Sequence, residues 1–184
     1  KQGATRVLDR VDCDVEYDDL AAEFTASALS IFATIGGGAP AESDAVNESE
    51  AEEAPAEEES AADGVDSVSG IDDLLSSGDR SLVLLFGSQS GNSEGLAAKI
   101  AKDAKAYGLE GEVHDMDGFA FNSLSSKKRV MIVCSTWGEG EQPDNAEDLW
   151  QFSISDSASR MEGVHFAILA LGDSSYEFFC QSGK

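Results

Sequence analysis

Three short, unbroken apolar runs constrain this chain more than any other feature: LVLLF (82–86), VMIVC (130–134) and FAILAL (166–171). Each has the length of a strand. None alternates with polar residues, as a strand with one wet face would, so each is expected to be covered on both faces, as in a parallel sheet. The intervening segments fit that reading. NSEGLAAKIAKDAKAYG (92–108) spaces its apolar residues as an amphipathic helix and ends on Gly108, EGEVHDM (110–116) reads as a weaker strand, and NAEDLWQF (145–152) as a short helix. Strands alternating with helices predict an α/β fold with a doubly wound parallel sheet.

The chain divides into three zones. Residues 1–33 look folded: TRVLDRVDCDV is a strand-like run, and the helix after it places Leu20, Phe24, Ala28 and Phe32 along one face behind Asp18 and Asp19. Residues 34–80 carry fourteen acidic residues against one basic and no aromatic. Such a segment cannot bury enough surface to offset its chain entropy and reads as a solvated acidic linker. Within it only IDDLL (71–75) suggests a helical turn, as a docking motif or an incidental apolar patch. Residues 81–184 hold the three runs, and YEFFCQSGK (176–184) reads as the opening of a further helix, cut short. A sequence opening on Lys1 is expected to be a piece of a longer one.

The net charge of −24 argues against nucleic acid and anionic membrane as partners and makes a basic protein surface the natural complement. No apolar stretch approaches the roughly eighteen residues of a membrane span. Cys13, Cys134 and Cys180 are too widely spaced for a metal motif and read as reduced thiols in the cytoplasm or another intracellular reducing compartment. His114 and His165 are isolated, so no metal site is expected, and no Ser/His/Asp or Cys/His set suggests a catalytic residue.

The chemistry concentrates in three turns that follow the apolar runs. GSQSGNSEG (87–95) lies between a strand and a helix N-terminus, where converging backbone N–H groups, a helix dipole and serine hydroxyls suit a phosphate. It has neither the lysine of a nucleotide-binding P-loop nor the GxGxxG spacing of a dinucleotide turn. Taken alone it is either a monophosphate cradle or an ordinary Ser/Gly turn. STWGEGEQPDN (135–145) offers Trp137 beside Gly138 and Gly140, to stack on a planar ring or to pack on its own loop. LGDSSYEFF (171–179) adds Tyr176 at the same sheet edge, where doubly wound folds bind ligands. Together the turns describe a pocket for a phosphorylated planar heterocycle.

The segments SQSGNSEGLA, STWGEGEQPDNA and LGDSSYEFFCQSGK resemble the three FMN-binding loops of the flavodoxin-like domain in diflavin reductases, the family of the NADPH sulfite reductase flavoprotein and, more distantly, cytochrome P450 reductase. The resemblance implies a five-stranded parallel sheet of order 2-1-3-4-5. It implies that Ser88, Gln89, Ser90, Gly91, Asn92 and Ser93 hold the FMN phosphate. Ser135, Thr136, Trp137, Gly138 and Gly140 would line one side of the ring, with Gly138 near the flavin N5 and Trp137 at a position often Tyr or Gln. Leu171, Gly172, Asp173, Tyr176, Phe178, Phe179 and Cys180 would form the other wall.

KQGATRVLDRVDCDVEYDDLAAEF, at the front, resembles the end of the same domain, so residues 1–33 are expected to supply the fifth strand and last helix. Asp12 or Asp14 would then lie near the flavin. The order implies a circular permutation or a slice of a tandem array. The joined points are roughly 15 Å apart, within the roughly 35–40 Å span of such a linker.

The function implied is an electron-transfer module. Its partners would be an FAD/NADPH reductase module and a haem or iron–sulfur acceptor with a basic docking surface. Two other readings stand beside it: the flavodoxin-like domain of another redox fusion enzyme, and a non-redox scaffold that no longer binds FMN.

Overall fold

A computed structural model describes residues 2–35, 78–156 and 158–184. Most of the expected acidic linker, with IDDLL, lies outside the described residues.

The three apolar runs form the strands β3 (Ser81–Gly87), β5 (Arg129–Ser135) and β6 (His165–Leu171). The weaker run forms β4 (Glu110–Asp115), on the far side of β3. All pairings are parallel, in the order β4-β3-β5-β6. Alternate residues of β3 divide between two cores. Leu82, Leu84 and Phe86 face helices α1 (Asp18–Thr34) and α2 (Asn92–Asp103), whereas Val83 and Leu85 face Phe121, Leu124 and Ala146 on the opposite side. There a 3-10 segment (Phe121–Ser126) and the short helix α3 (Glu147–Ile154) cover the sheet. Gly108 ends the turn after α2 with φ +68°, a left-handed conformation that glycine adopts without a Cβ clash.

The front segment pairs with the free edge of β6, and in two pieces, not as the single run expected from TRVLDRVDCDV. β1 (Thr5–Arg6) lies beside His165 and Phe166, and β2 (Val11–Cys13) beside Leu169, Ala170 and Leu171. From Arg6 to Val11 the front segment advances five positions while β6 advances three, so two extra residues loop out. An edge strand has one neighbour only and tolerates such an insertion. An even number also leaves the inward and outward faces unchanged, and Cys13 returns to the core.

Helix α1 forms with Asp18 and Asp19 in its first turn, where the helix dipole favours negative charge. Its buried stripe comprises Ala21, Phe24, Thr25, Ala28, Leu29, Phe32 and Ala33. Leu20, expected on that face, is instead exposed in the first turn. The last turn has no basic residue of its own. Arg129, at the start of β5 and buried, supplies the cation: its guanidinium donates to the Phe32 carbonyl at 2.8 Å and to that of Ile35. The same group donates to Asp79 O at 2.7 Å and Ser81 O at 3.3 Å, at the lead into β3. One side chain thus ties together the two described ends that flank residues 36–77.

The helix expected to open at YEFFCQSGK is not observed. Residues 174–180 run through turns, and Gln181–Gly183 make a single 3-10 turn. One turn fixes several dihedrals for one or two hydrogen bonds, too little to nucleate an α-helix.

Candidate functional site

The three turns singled out in the sequence meet at the C-terminal edge of the sheet, after β3, β5 and β6. They enclose a cavity of about 450 Å³, within the range of small-ligand pockets.

The first turn is organised around Ser88. Its backbone N–H donates to Asn145 Oδ1 at 3.0 Å, and its hydroxyl accepts from Gly91 N at 2.9 Å and Ser93 N at 3.4 Å. Gly91 has φ +89°, which an L side chain rarely adopts, and this lets the turn coil back onto the first turn of α2. Gln89, Ser90 and Asn92 line the cavity. Ser88, Gly91 and Ser93 are not among the lining residues: Ser88 is half-buried, Gly91 exposed and Ser93 buried. The Ser93 hydroxyl is fully buried without a hydrogen-bond partner, an uncommon condition for a buried polar atom.

Asn145, which the sequence reading left unassigned, ties this turn to β4 by donating to Asp115 Oδ1 at 2.9 Å. The signal was present: a polar Asp-Asn pair between a proline and a helix N-terminus.

The second turn is a tight loop closed by reciprocal bonds between Trp137 and Glu141, each 2.8 Å. Gly138 and Gly140 have φ +52° and +97°. Ser135, Thr136, Trp137 and Gly138 line the cavity. Gly140 does not. A Cβ there would lie 2.7 Å from Phe178 Cβ, so this glycine lets the second and third turns touch.

The third turn contributes Leu171, Gly172, Asp173, Tyr176, Phe178, Phe179 and Cys180 to the lining. A Cβ on Gly172 would meet Cys180 N and Sγ at 2.9 Å, so the turn folds back on itself only around a glycine. Trp137 is 54% and Tyr176 66% exposed, so both rings are open to solvent at the cavity.

The front segment completes the wall with Val15 and Tyr17, which sequence reasoning missed because both precede an ordinary helix start. Asp12, an expected site residue, sits within β2 and pairs with Arg10 at 2.6 Å; neither it nor Asp14 is among the residues that line the cavity. Asp14 instead reaches the third turn, accepting from Ser174 N at 3.0 Å and from the Ser174 hydroxyl.

Among the described residues no basic side chain lines the cavity. An anion held here would rely on backbone N–H groups, serine hydroxyls and the dipole of α2. A second groove of about 270 Å³ opens on the opposite face between Ile132, Leu149, Phe152 and Phe166. It is almost wholly apolar and lacks the converging polar groups that fix a ligand's orientation.

All three cysteines are free and buried. Burial, then the charge of Asp12, pushes Cys13 up to about 11; burial, then the same carboxylate, pushes Cys180 up to about 12. Burial raises Cys134 too, against a contact with Ser182. A raised thiol pKa means the neutral form persists to higher pH, and thiolate is the reactive species. Iodoacetamide at pH 8 is therefore expected to leave all three unmodified in the native chain and to label them in urea. Mass spectrometry reads both states, and native labelling of Cys13 or Cys180 would contradict the assignment.

Residues 84–184 match the flavodoxin family. The chain is 45% identical over 103 residues to the sulfite reductase [NADPH] flavoprotein alpha-component of Vibrio parahaemolyticus, covering 56% of this chain and 16% of that protein. Its counterpart in Bacillus subtilis is also 45% identical, over 105 residues, covering 57% and 17%. The chain thus spans about a sixth of the length of these curated relatives. Among solved structures, the C101A mutant of flavodoxin from Pseudomonas aeruginosa superimposes with a TM-score of 0.50 at 31% identity, covering 56% of this chain and 69% of that one.

Proposed function

Since this chain belongs to the flavodoxin family, we propose that it binds FMN in the cavity between the three turns and acts as an electron-transfer module. One observation carries the reading. A serine-rich, cation-free turn at a helix N-terminus and two exposed aromatics, Trp137 and Tyr176, face one cavity at the C-terminal edge of a parallel sheet. The residues present fit the cofactor. The buried, unpartnered Ser93 hydroxyl under the first turn is an available donor for a phosphate oxygen, and the cavity is large enough for a planar ring.

When bound, FMN supplies the redox chemistry, so no protein nucleophile or general acid is required. The chain's own residues bind and orient. Ser88 to Ser93 would hold the phosphate, Trp137 and Tyr176 would flank the ring, and Phe178 and Phe179 would shield it from water. The left-handed Gly138 leaves the second turn able to approach the ring edge without a side chain in the way. Residues 2–35 would serve as the last strand and helix of the domain, which β1 and β2 against β6 support.

The curated relatives suggest the larger setting. Electrons would come from an NADPH/FAD reductase module and pass to a haem or iron–sulfur acceptor whose basic surface complements the acidic chain. Three free, buried thiols support a reducing compartment. Among the described residues no helix is long and apolar enough to cross a membrane.

The test is a titration of the purified chain with FMN, following flavin fluorescence. Quenching should be stoichiometric at one FMN per chain, from aromatic stacking on the ring. No quenching by a chain that is folded by circular dichroism would overturn the reading.

A further inference from the structure

The cavity is shared between two parts of the chain far apart in sequence. Residues 13–17 leave the end of β2 and run against the third turn. Cys13 O accepts the Gly172 N–H at 2.9 Å, and Val15 and Tyr17 complete the cavity wall. Between these lies Asp14, whose Oδ1 accepts Ser174 N at 3.0 Å while Oδ2 accepts the Ser174 hydroxyl. The Val15 N–H, at 2.8 Å from Oδ1, holds the carboxylate in place. Ser174 precedes Tyr176 by two residues, inside a turn in which Asp173 accepts from Ser175 N and Oγ and from Tyr176 N. Beyond this carboxylate, the bonds given for Ser175 and Tyr176 are short-range ones within the turn, and Phe178 packs against Gly140 of the second turn.

We propose that Asp14 is a positioning residue for the flavin site: a latch from the front segment that fixes the third turn and thereby presents Tyr176 to the ring. The proposal rests on the FMN reading above. Binding of FMN and docking of residues 2–35 are then coupled, each strengthening the other by the same factor. A ligand that contacts Tyr176 binds best when the turn is already ordered, because an unlatched turn must lose its freedom on binding. The Ser174 hydroxyl, then the Ser174 and Val15 amides, hold the Asp14 carboxyl below the usual carboxylate range, so the latch is a charged acceptor at neutral pH. The carboxylate is exposed, so its loss should disturb the turn more than the fold.

The experiment uses the full chain with Asp14→Ala, Asp14→Asn and Ser174→Ala, and Asp9→Ala as an exposed carboxylate of the same segment. Amide exchange of residues 173–178 is measured without FMN, followed by FMN affinity and the visible circular dichroism of the bound flavin. Asp14→Ala should speed exchange of the turn in the free chain, weaken FMN about tenfold and alter the visible dichroism. Asp14→Asn retains an acceptor for the Ser174 amide and should fall between Asp14→Ala and wild type, as should Ser174→Ala. Asp9→Ala should behave as wild type. In the wild type FMN should slow exchange in α1, and less so in Asp14→Ala.

If Asp14→Ala does not fold, the other two variants carry the test. Wild-type affinity, dichroism and exchange in Asp14→Ala, with FMN bound normally, would overturn the latch and leave the function reading standing. No FMN binding by the wild type would overturn both.

Discussion

Arg129→Met should destabilise the chain by about 3 kcal/mol. The buried guanidinium donates to four carbonyl oxygens, of Phe32, Ile35, Asp79 and Ser81, on two segments separated by residues 36–77. Methionine fills much of the volume but removes all four donations; the Phe32 carbonyl keeps the Ile35 N–H at 3.2 Å, and each buried group left unsatisfied costs roughly 1–3 kcal/mol. It also removes the cation at the C-terminal end of α1, which has no basic residue in its last turn. Burial lowers the guanidinium pKa while Asp79 raises it, and arginine remains charged throughout the range in which proteins fold. Arg129→Lys should recover only part of the loss, because an ammonium cannot reach four carbonyls on two sides as a planar fork can. Urea denaturation measures the effect. A change below about 0.5 kcal/mol in Arg129→Met would show that the clamp contributes little.

Removing Trp137 and Tyr176 together should abolish most FMN binding while sparing the fold. Stacking of an aromatic side chain on a heterocyclic base is worth roughly 1–3 kcal/mol. Trp137→Ala and Tyr176→Ala should therefore each weaken FMN roughly 10- to 100-fold. If the two rings contact the flavin independently, the double variant should lose the product of the two. Neither side chain belongs to the buried clusters, and each is more than half exposed, so denaturation midpoints should hardly move. Trp137→Phe and Tyr176→Phe keep an aromatic face and should retain most of the affinity. Flavin fluorescence titration reads all of these. Wild-type affinity in both alanine variants would mean that the ring binds elsewhere.

Much of the molecule follows from short-range pattern. The three unbroken apolar runs specify strands covered on both faces, and the helices between them specify parallel pairing. The turns after the runs hold most of the cavity wall, so the site is legible wherever one strand end carries its own loop. Ser90, Trp137 and Tyr176 line that cavity. Local pattern misleads where position in the sheet decides the outcome. TRVLDRVDCDV reads as one strand because every piece is extended and apolar enough, yet the edge of β6 accepts it as two with a loop between. YEFFCQSGK looks helical by composition, but the residues before Gln181 are drawn into the third turn around Gly172 and the left-handed Cys180.

The sheet's strands, their parallel direction and the character of the three turns follow from local sequence, because side-chain periodicity and turn chemistry act over a few residues. Tertiary packing brought Asp14 to Ser174 of the third turn across a separation of 160 residues. It also decided that Arg129 binds two distant segments at once. Hydrogen bonds between remote segments depend on strand register and on which edge is free. Those quantities are set when the whole sheet packs, and they leave no local pattern to read.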